Sequence, residues 1–312
     1  MKIVVLLYTF NGGPYLENLV KSIFEQDIAG KAEIEILVRD DGSADNTKSI
    51  LDTLKSEGKL TWYSGDNIGR TKSFWELMGK AGEADYYAFA EQDELWLPEK
   101  LSRAVKYIET KAIIEGEETE VADGPMLYCG ECYAANSKLK PVGVKRNPSN
   151  KYTDFEHSLI YSSKPGSTYV FNKAALKEIL RYDPENFYVA EYEDLVRNIM
   201  FIAGAVIFDR VPVLYRRKSR MNPQYLGGFM DKIKLLFLSG GGVDKEKSNT
   251  AKALLEVYAK DLEDSKRLEA LKLVANYIDD PETKEKLMNS AKFSTGSYVD
   301  KWFASAVKSN KL

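Results

Sequence analysis

Histidine and cysteine are scarce in this 312-residue chain, which contains one histidine and two cysteines. The cysteines form Cys129-Gly-Glu-Cys132, a spacing that suits a redox pair or half of a zinc site. No second pair follows, and the single histidine is His157. Because the flanking residues are typical of a strand, we interpret both thiols as structural, in a reducing compartment. We interpret His157 as structural or solvated.

Long apolar runs are also missing: none reaches 18 residues, so the sequence predicts no membrane-spanning helix. The apolar start is short and lacks a small-residue cleavage site, which favours a buried first strand over a signal peptide. Neither sign of charge dominates, and a net charge of -3 disfavours a nucleic-acid partner bound through bulk charge. With 44% hydrophobic residues, the composition is typical of a globular protein, as one large domain or a domain plus an extension.

One stretch combines a predicted buried strand, 86–90, with the acidic residues Glu91, Asp93 and Glu94 and a proline placed to open a helix, Pro98. In open α/β sheets, ligands bind at the carboxyl ends of the strands. The two-residue period of a strand directs Glu91 and Asp93 to the same side, which suits Mg²⁺ or Mn²⁺ carrying a phosphate-bearing ligand. The alternative is an acidic turn that caps the following helix.

Strand and helix patterns alternate over the first third of the chain. We predict strands at 2–8, 33–38, 60–63 and 86–90, and helices at 15–25, 48–56, 71–81 and 98–109. This order predicts an α/β fold with a mostly parallel, doubly covered sheet. Further on, we predict a loop at 115–124, strands at 126–135, 166–172, 205–209 and 213–216, helices at 154–161, 173–181 and 191–202, and an irregular segment at 136–152.

The composition shifts beyond about residue 223, and a charged, alanine- and leucine-rich stretch runs from 244 to about 306, interrupted at Pro281. We predict a domain at 1–222 and a helical C-terminal extension at 223–312. The segment 229–238 contains an apolar run with two lysines and could lie on a membrane surface. Alternatively, the extension packs on the first domain or pairs with a second copy of the chain.

Six motifs, in order and correctly spaced over about residues 2–220, resemble family 2 glycosyltransferases with the GT-A fold, especially the bacterial rhamnosyltransferase-like branch. They are YTFNGGPYLENLVKSI, LVRDDGSADNT, GDNIGRTKSF, ADYYAFAEQDELWLPEKL, GSTYVFNKAAL and VPVLYRR. The fold of that family matches the sheet predicted from the strand pattern.

The resemblance implies a site for a pyrimidine nucleotide. Phe10 stands where the family has an aromatic residue against the base, and Asp41 resembles the carboxylate that accepts the imide N–H of uracil or thymine. Taken alone, Asp40-Asp41-Gly-Ser is also a generic turn, and Arg70 could be a solvated residue at a helix start. The residues assigned to the nucleotide are Tyr8, Thr9, Phe10, Asn11, Asp41, Asn67, Arg70 and Gln92.

The resemblance also implies metal-assisted chemistry. Asp93 matches the aspartate expected to touch Mn²⁺ or Mg²⁺, and Glu91 replaces the usual first aspartate, which could change its role to a water-mediated or sugar contact. The acceptor hydroxyl needs a general base. Both Asp194, slightly preferred, and Glu193 match the position of that base, although an acidic helix start is a common stabilising feature in its own right.

The remaining assignments concern the donor sugar and the acceptor. Gly166-Ser167-Thr168 resembles a turn that borders them, and Trp96 either packs near the acceptor or belongs to the core. The family's LYRxH motif ends here in Arg217-Lys218, and either cation could stabilise the leaving diphosphate. His157 does not replace the missing histidine.

The resemblance therefore predicts an inverting glycosyltransferase that moves a sugar from a UDP- or dTDP-sugar to a growing surface glycan or lipid-linked acceptor. The expected setting is the cytoplasm, with peripheral contact at the inner face of the membrane as one option. The alternative is a non-catalytic or regulatory sugar-nucleotide-binding module. A dinucleotide-dependent dehydrogenase is disfavoured because the turn after the first strand lacks GxGxxG.

Overall fold

A computed structural model describes residues 1–28, 30–110, 112–114, 117–119, 124–136, 140, 142, 153–161, 165–183, 191–217, 246–262, 265–294 and 299–310. The strands are β1 Lys2–Thr9, β2 Glu33–Asp40, β3 Thr61–Ser64, β4 Tyr86–Glu91, β5 Glu94–Trp96, β6 Ala112–Ile114, β7 Glu117–Thr119, β8 Met126–Ala135, β9 Tyr169–Asn172 and β10 Ala205–Arg217. The helices are α1 Gly13–Phe24, α2 Thr47–Ser56, α3 Arg70–Lys80, α4 Lys100–Thr110, α5 Phe155–Ile160, α6 Lys173–Ile179, α7 Tyr192–Ala203, α8 Glu246–Tyr258, α9 Lys266–Asn276, α10 Pro281–Asn289 and α11 Val299–Lys308.

Within these ranges, eight strands form one sheet in the order β3-β2-β1-β4-β9-β8-β10-β5. Strands β3, β2, β1 and β4 are mutually parallel, and β8 is parallel to β10. The strand β1 reads KIVVLLYT and is buried along almost its whole length, as expected when helices cover both faces of a parallel sheet. The predicted α/β fold with a doubly covered sheet is confirmed, although β9 and β5 pair antiparallel with their neighbours.

Several predicted bounds change for local reasons. The predicted strand at 166–172 begins only at Tyr169, because Gly166–Thr168 form a 3₁₀ turn. The predicted strands at 205–209 and 213–216 are one strand, whose register with β8 shifts on both sides of Pro212. A proline has no N–H to give to a ladder, so a bulge is expected there. The predicted loop at 115–124 contains β7, which pairs with β6.

The part of the C-terminal extension that the structure describes, from residue 246 onwards, is mainly helical, as predicted. Its helix α10 begins at Pro281, and the Asp280 carboxylate accepts two backbone N–H groups there. Buried side chains of α8, α9 and α11 belong to the same apolar cluster as side chains of β4 and α7, including Leu254, Leu271, Phe303, Phe89 and Leu195. Packing on the first domain is therefore one role of the extension. The division at 222/223 and the segment 229–238 lie outside the described residues, as does most of 136–152.

Candidate active site

The site lies where β1, β2 and β4 end. Tyr8 of β1 is in register with Arg39 of β2 and with Glu91 of β4. The segments that follow these three positions therefore leave the sheet at one edge, which is the edge that binds ligands in open α/β sheets. The nucleotide and metal residues predicted from the separate motifs are brought together here.

Gln92 holds the loop after β1. Its side-chain oxygen accepts from the Phe10 N–H at 2.7 Å and from the Thr9 hydroxyl at 2.6 Å, and its amide nitrogen donates to the Phe10 carbonyl at 2.9 Å. A Cβ at Gly12 would lie 2.3 Å from the same Gln92 oxygen, so a larger residue here would displace the Gln92 side chain. The loop that carries the half-buried Phe10 is thus fixed by a residue 82 positions away.

Asn11 joins this loop to the loop after β2. Its backbone has a φ of 51°, a left-handed conformation that asparagine tolerates better than most residues. Its N–H donates to the Ser43 hydroxyl at 2.8 Å, and its side-chain oxygen accepts from the Ala44 N–H at 2.9 Å. Asn11 therefore orders two loops at the edge of the predicted nucleotide site.

Asp41 is fully buried and binds the loop after β3. Its carboxylate accepts from Arg39, from the Ile68 N–H at 3.0 Å and from the Gly69 N–H at 3.1 Å, with the Tyr8 hydroxyl 3.5 Å away. The predicted bond from a base imide N–H would have to replace one of these donors. Asn67, in the loop that Asp41 holds, is exposed.

Arg39 is a buried cation that the sequence reasoning missed. Its guanidinium donates to Glu76 at 2.8 Å, to the Ser73 hydroxyl at 3.0 Å and to the Asp66 carbonyl at 3.0 Å, besides Asp41. An arginine directly after the apolar residues 36–38 of β2 is the signal that could have revealed it. Arg39 neutralises Asp41 and ties β2 to α3.

Glu91 lies between two arginines. Its carboxylate accepts from Arg216 at 2.8 Å, from Arg70 at 3.3 Å and from the Tyr192 hydroxyl at 3.1 Å, and the residue is only 5% exposed. Burial alone would raise the pKa of Glu91, but the Arg216 and Arg70 guanidiniums outweigh it and hold that pKa below its usual value. We name Glu91, Arg70, Arg216 and Tyr192 the arginine cluster.

The first turn of α7 brings Glu193 to this cluster. Arg70 lies 3.5 Å from the Glu193 carboxylate and also pairs with Glu191. Burial raises the pKa of Glu193, and the Glu91 and Asp194 charges add to the rise while Arg70 opposes it. A buried carboxylate with a raised pKa is suited to general-base work when an acceptor hydroxyl lies within hydrogen-bond reach.

Asp194, the neighbouring candidate, is engaged elsewhere. One of its oxygens accepts from Arg197 at 2.9 Å, and the other accepts from Lys247 of α8 at 3.0 Å. Adjacent residues on a helix point about 100° apart, so only one of the two acidic side chains faces the arginine cluster. The contacts favour Glu193 over Asp194 for chemistry at this edge.

Lys100 is a fully buried lysine behind the site. Its ammonium donates to the Ser167 carbonyl at 2.6 Å and lies 3.2 Å from the centre of the Trp96 ring. Burial lowers its pKa well below the usual value, although Glu94 nearby opposes this. Trp96 is 3% exposed and belongs to the apolar core. Of the two roles that the sequence left open for Trp96, its placement matches the core role.

The predicted Gly166-Ser167-Thr168 turn packs directly on Tyr192. A Cβ at Gly166 would lie 2.4 Å from the Tyr192 ring, and Ser167 and Thr168 are fully buried. Arg216 donates to the Ser167 hydroxyl at 3.4 Å, so this turn contacts two members of the arginine cluster, Tyr192 and Arg216.

The predicted cations Arg217 and Lys218 lie at the limit of the described chain. The backbone of Arg217 ends β10, whereas its side chain and Lys218 are outside the described residues. Among the side chains of this motif that the structure describes, Arg216, which the sequence reasoning passed over, enters the site and binds Glu91. The sequence signal for Arg216 was an arginine near the end of a strand, as for Arg39.

A divalent metal is implied by the resemblance, and the side chains accommodate it only in part. Among the residues that the structure describes, no three His, Cys, Asp or Glu side chains form a metal cluster. Both Glu91 oxygens are taken by the arginine cluster, which leaves Asp93, at the end of the same turn, as the hard oxygen donor. One carboxylate is enough for an ion that arrives with substrate phosphates, since Mg²⁺ is commonly bound in that way.

The described ranges contain no helix that is both long enough and apolar enough to span a membrane.

His157 lies away from the arginine cluster, with its Nδ1 2.7 Å from Asp154 and its Nε2 3.2 Å from the Ser294 carbonyl, and is therefore structural. Cys129 and Cys132 lie on β8, in the strand predicted for this stretch, and no disulfide joins them.

Comparison with known proteins relates residues 4–179 to the family model of glycosyl transferase family 2. The dTDP-rhamnosyl transferase RfbG of Shigella flexneri is 28% identical over 187 residues, which are 56% of this chain and 56% of that protein. A Campylobacter jejuni GalNAc(5)-diNAcBac-PP-undecaprenol beta-1,3-glucosyltransferase is 25% identical over 60% of this chain and 62% of its own length. The chain thus spans roughly half to three-fifths of these two relatives.

Among solved structures, Staphylococcus aureus TarS 1-349 in complex with UDP has a TM-score of 0.54 at 19% identity, covering 97% of this chain and 78% of that one. The mannosyltransferase PcManGT of Pyrobaculum calidifontis, in complex with GDP-Man and Mn²⁺, has a TM-score of 0.51 at 16% identity, covering 99% and 86%. These likenesses confirm the fold. Because the family model matches more than half of the 312 residues, the protein belongs to glycosyl transferase family 2, as its resemblance to the rhamnosyltransferase-like branch predicted.

Proposed function

We propose that this chain transfers a sugar, with inversion, from a UDP- or dTDP-sugar to a hydroxyl of a glycan or lipid-linked acceptor. The Shigella relative is named for a dTDP donor, and TarS was solved with UDP, which supports a pyrimidine nucleotide. The Campylobacter relative is named for an undecaprenol-linked acceptor. The observation that carries the proposal is Glu193, a buried carboxylate 3.5 Å from Arg70 at the ligand-binding edge of the sheet.

In this proposal Glu193 is the general base. It takes the proton of the acceptor hydroxyl while that oxygen forms a bond to the anomeric carbon and the nucleoside diphosphate leaves from the opposite face. A single displacement of this kind inverts the anomeric centre. The raised pKa of Glu193 makes it a stronger base than an exposed glutamate.

Arg70 is the cation best placed for the leaving diphosphate. Its side chain is 26% exposed, whereas Arg216 is 5% exposed and remains with Glu91. Its partners Glu91, Glu191 and Glu193 are carboxylates, so phosphate oxygens can take over the same N–H donors. Exchange of this kind would also release Glu193 from its cation when the donor binds.

The loop fixed by Gln92 presents Phe10 to the base, and the loop held by Asp41 presents Asn67 beside it. Asp93 would hold Mn²⁺ or Mg²⁺, which when bound neutralises diphosphate charge and assists its departure. Glu91 serves the arginines instead of the ion, in line with its departure from the family's usual aspartate. We place the reaction in the cytoplasm, with an acceptor at the inner face of the membrane.

A donor-turnover screen tests this function. The chain is incubated with UDP- and dTDP-sugars and Mn²⁺, and release of nucleoside diphosphate is followed for wild type and for Asp93→Asn. The exposed Asp66→Asn, in the loop after β3, is the matched control. We expect turnover with at least one donor, lost in Asp93→Asn and kept in Asp66→Asn.

A non-catalytic sugar-nucleotide-binding module is the second candidate. It is favoured by the engagement of Glu91 with Arg216 and Arg70, which occupies the position of the family's first metal-motif aspartate with an ion pair. Binding of a sugar nucleotide, measured by calorimetry, without metal-dependent turnover of any donor would support the module and contradict the enzyme.

A further inference from the structure

The C-terminal extension contributes a cation to the helix that carries the proposed base. Lys247, in the first turn of α8, donates to the Asp194 carboxylate at 3.0 Å. Its side chain is 18% exposed and that of Asp194 is 7% exposed, so the pair lies largely out of water. Burial alone would lower the pKa of Lys247, but the Asp194 and Glu246 carboxylates hold it above its usual value.

Asp194 is also held by Arg197 of its own helix. Arg197 donates to Asp194 at 2.9 Å, to the Ser158 hydroxyl at 2.8 Å and to the Tyr169 hydroxyl at 3.1 Å, and it is fully buried. Asp194 is thus held between a cation of its own helix and a cation of the extension. Since Glu193 is the next residue on the same turn, the orientation of one carboxylate fixes that of the other.

We infer that Lys247 is a positioning residue for sugar transfer: by binding Asp194 it sets the first turn of α7 so that Glu193 faces the arginine cluster. The extension is then part of the catalytic unit as well as of the core. The inference rests on the proposed function in one respect, the role of Glu193 as base.

The charged groups around Glu193 let the Lys247–Asp194 contact be detected as a shift in the pKa of Glu193. The groups that face it are Tyr192 and Asp194 of its own helix, Arg70 of α3, Glu91 of β4 and Arg216 of β10. In addition, the Tyr169 hydroxyl of β9 donates to its backbone carbonyl at 3.3 Å. The Asp194 charge raises the pKa of Glu193, and Lys247 offsets that charge. Removing Lys247 should therefore raise the pKa of Glu193 further, while removing the charge of Asp194 should lower it.

The test is a titration of the Glu193 side-chain carboxyl by ¹³C NMR, with its signal assigned by its absence in Glu193→Gln. We expect its midpoint to rise by about half a pH unit in Lys247→Met and to fall by a similar amount in Asp194→Asn. Lys247→Arg should restore the wild-type value. The matched control is Lys252→Met on the same helix, whose partner is the exposed Asp279 and which should leave the midpoint unchanged.

Kinetics supply a second readout. In Lys247→Met we expect kcat to fall more than tenfold while the donor KM stays within about threefold, with the acidic limb of the kcat profile moved to higher pH. Equal midpoints in Lys247→Met and Lys252→Met would overturn the inference, and so would a shift of the same sign in Lys247→Met and Asp194→Asn. If Lys247→Met does not fold, the Asp194→Asn variant is used alone. A Glu193 titration midpoint at or above the wild-type value in Asp194→Asn then contradicts the inference.

Failure of the proposed function would look different. If no donor is turned over, or if Glu193→Gln is fully active, the base assignment fails, while the NMR midpoints still report whether Lys247 controls the environment of Glu193.

Discussion

Glu91→Gln separates the charge of Glu91 from its shape. The substitution keeps an oxygen that can accept from Arg216, Arg70 and Tyr192, but it leaves Arg216 buried, at 4% exposure, with less of its charge neutralised. Removing one partner of a buried ion pair costs about 3–5 kcal/mol, and the retained hydrogen bonds place the expected loss near the lower end, at about 3 kcal/mol. Urea unfolding followed by tryptophan fluorescence measures the loss.

The control for this prediction is Glu83→Gln. Glu83 pairs with Lys173 at 3.2 Å, but its side chain is 87% exposed, so its removal should leave the unfolding midpoint unchanged. A Glu91→Gln protein that unfolds at the wild-type urea concentration would refute the claim that Glu91 neutralises buried arginines. Adding Arg216→Met to Glu91→Gln should recover part of the stability, because the orphaned charge is then removed as well.

The stabilisation that Glu91 provides should also depend on pH, because the pKa of Glu91 is lower in the folded chain than in the unfolded one. The stabilisation is present above about pH 4.3, the pKa of an unfolded glutamate, and is lost as the pH falls through the pKa of Glu91 in the folded chain. The stability gap between wild type and Glu91→Gln, measured from pH 7 down to pH 3, should therefore narrow, and a constant gap would contradict the assigned shift. Gly166→Ala would place a Cβ 2.4 Å from the Tyr192 ring and should cost about 1–3 kcal/mol in urea unfolding. Gly79→Ala, at an exposed position of α3 with open space around it, should instead stabilise by up to about 1 kcal/mol, and equal effects of the two would argue against the close packing of Gly166. Gly12→Ala would displace the Gln92 side chain and so loosen the loop of Phe10; we expect a donor KM raised at least fivefold with normal stability, and an unchanged KM would separate that loop from nucleotide binding.

Most of the parallel half of the sheet could be predicted from the sequence. The strands β1 and β4 are apolar runs that end in polar or acidic residues. The strand β2 carries apolar residues at 36–38 before its charged end, and the first helix has one apolar face. The antiparallel strands were harder, because β9 is four residues long and its partners lie far away in the chain. A short apolar segment does not encode the direction of its neighbour.

The placement of Asp41, Glu91 and Asp93 at one edge of the sheet could be predicted, because each lies at or just after the end of a strand; their roles in binding stay predictions. A role that depends on a distant partner was not predictable. Gln92 binds the loop of Phe10 across 82 positions, and Lys100, which reads as a solvated residue at a helix start, is buried under Ser167. The choice between Asp194 and Glu193 stayed open in the sequence, because the contact that engages Asp194 comes from Lys247, 53 positions later.

The central claim, that Glu193 removes the acceptor proton, is tested most directly by comparing Glu193→Gln with Asp194→Asn in steady-state sugar transfer at a fixed pH. We predict that kcat falls by about 10²–10⁴ in Glu193→Gln, the usual contribution of a general base, with a donor KM close to that of wild type. Asp194→Asn should keep more of the wild-type kcat than Glu193→Gln, with a loss similar to that of Lys247→Met, since its carboxylate orients the helix and takes no proton. A Glu193→Gln enzyme within tenfold of wild type, together with an inactive Asp194→Asn enzyme, would contradict the claim.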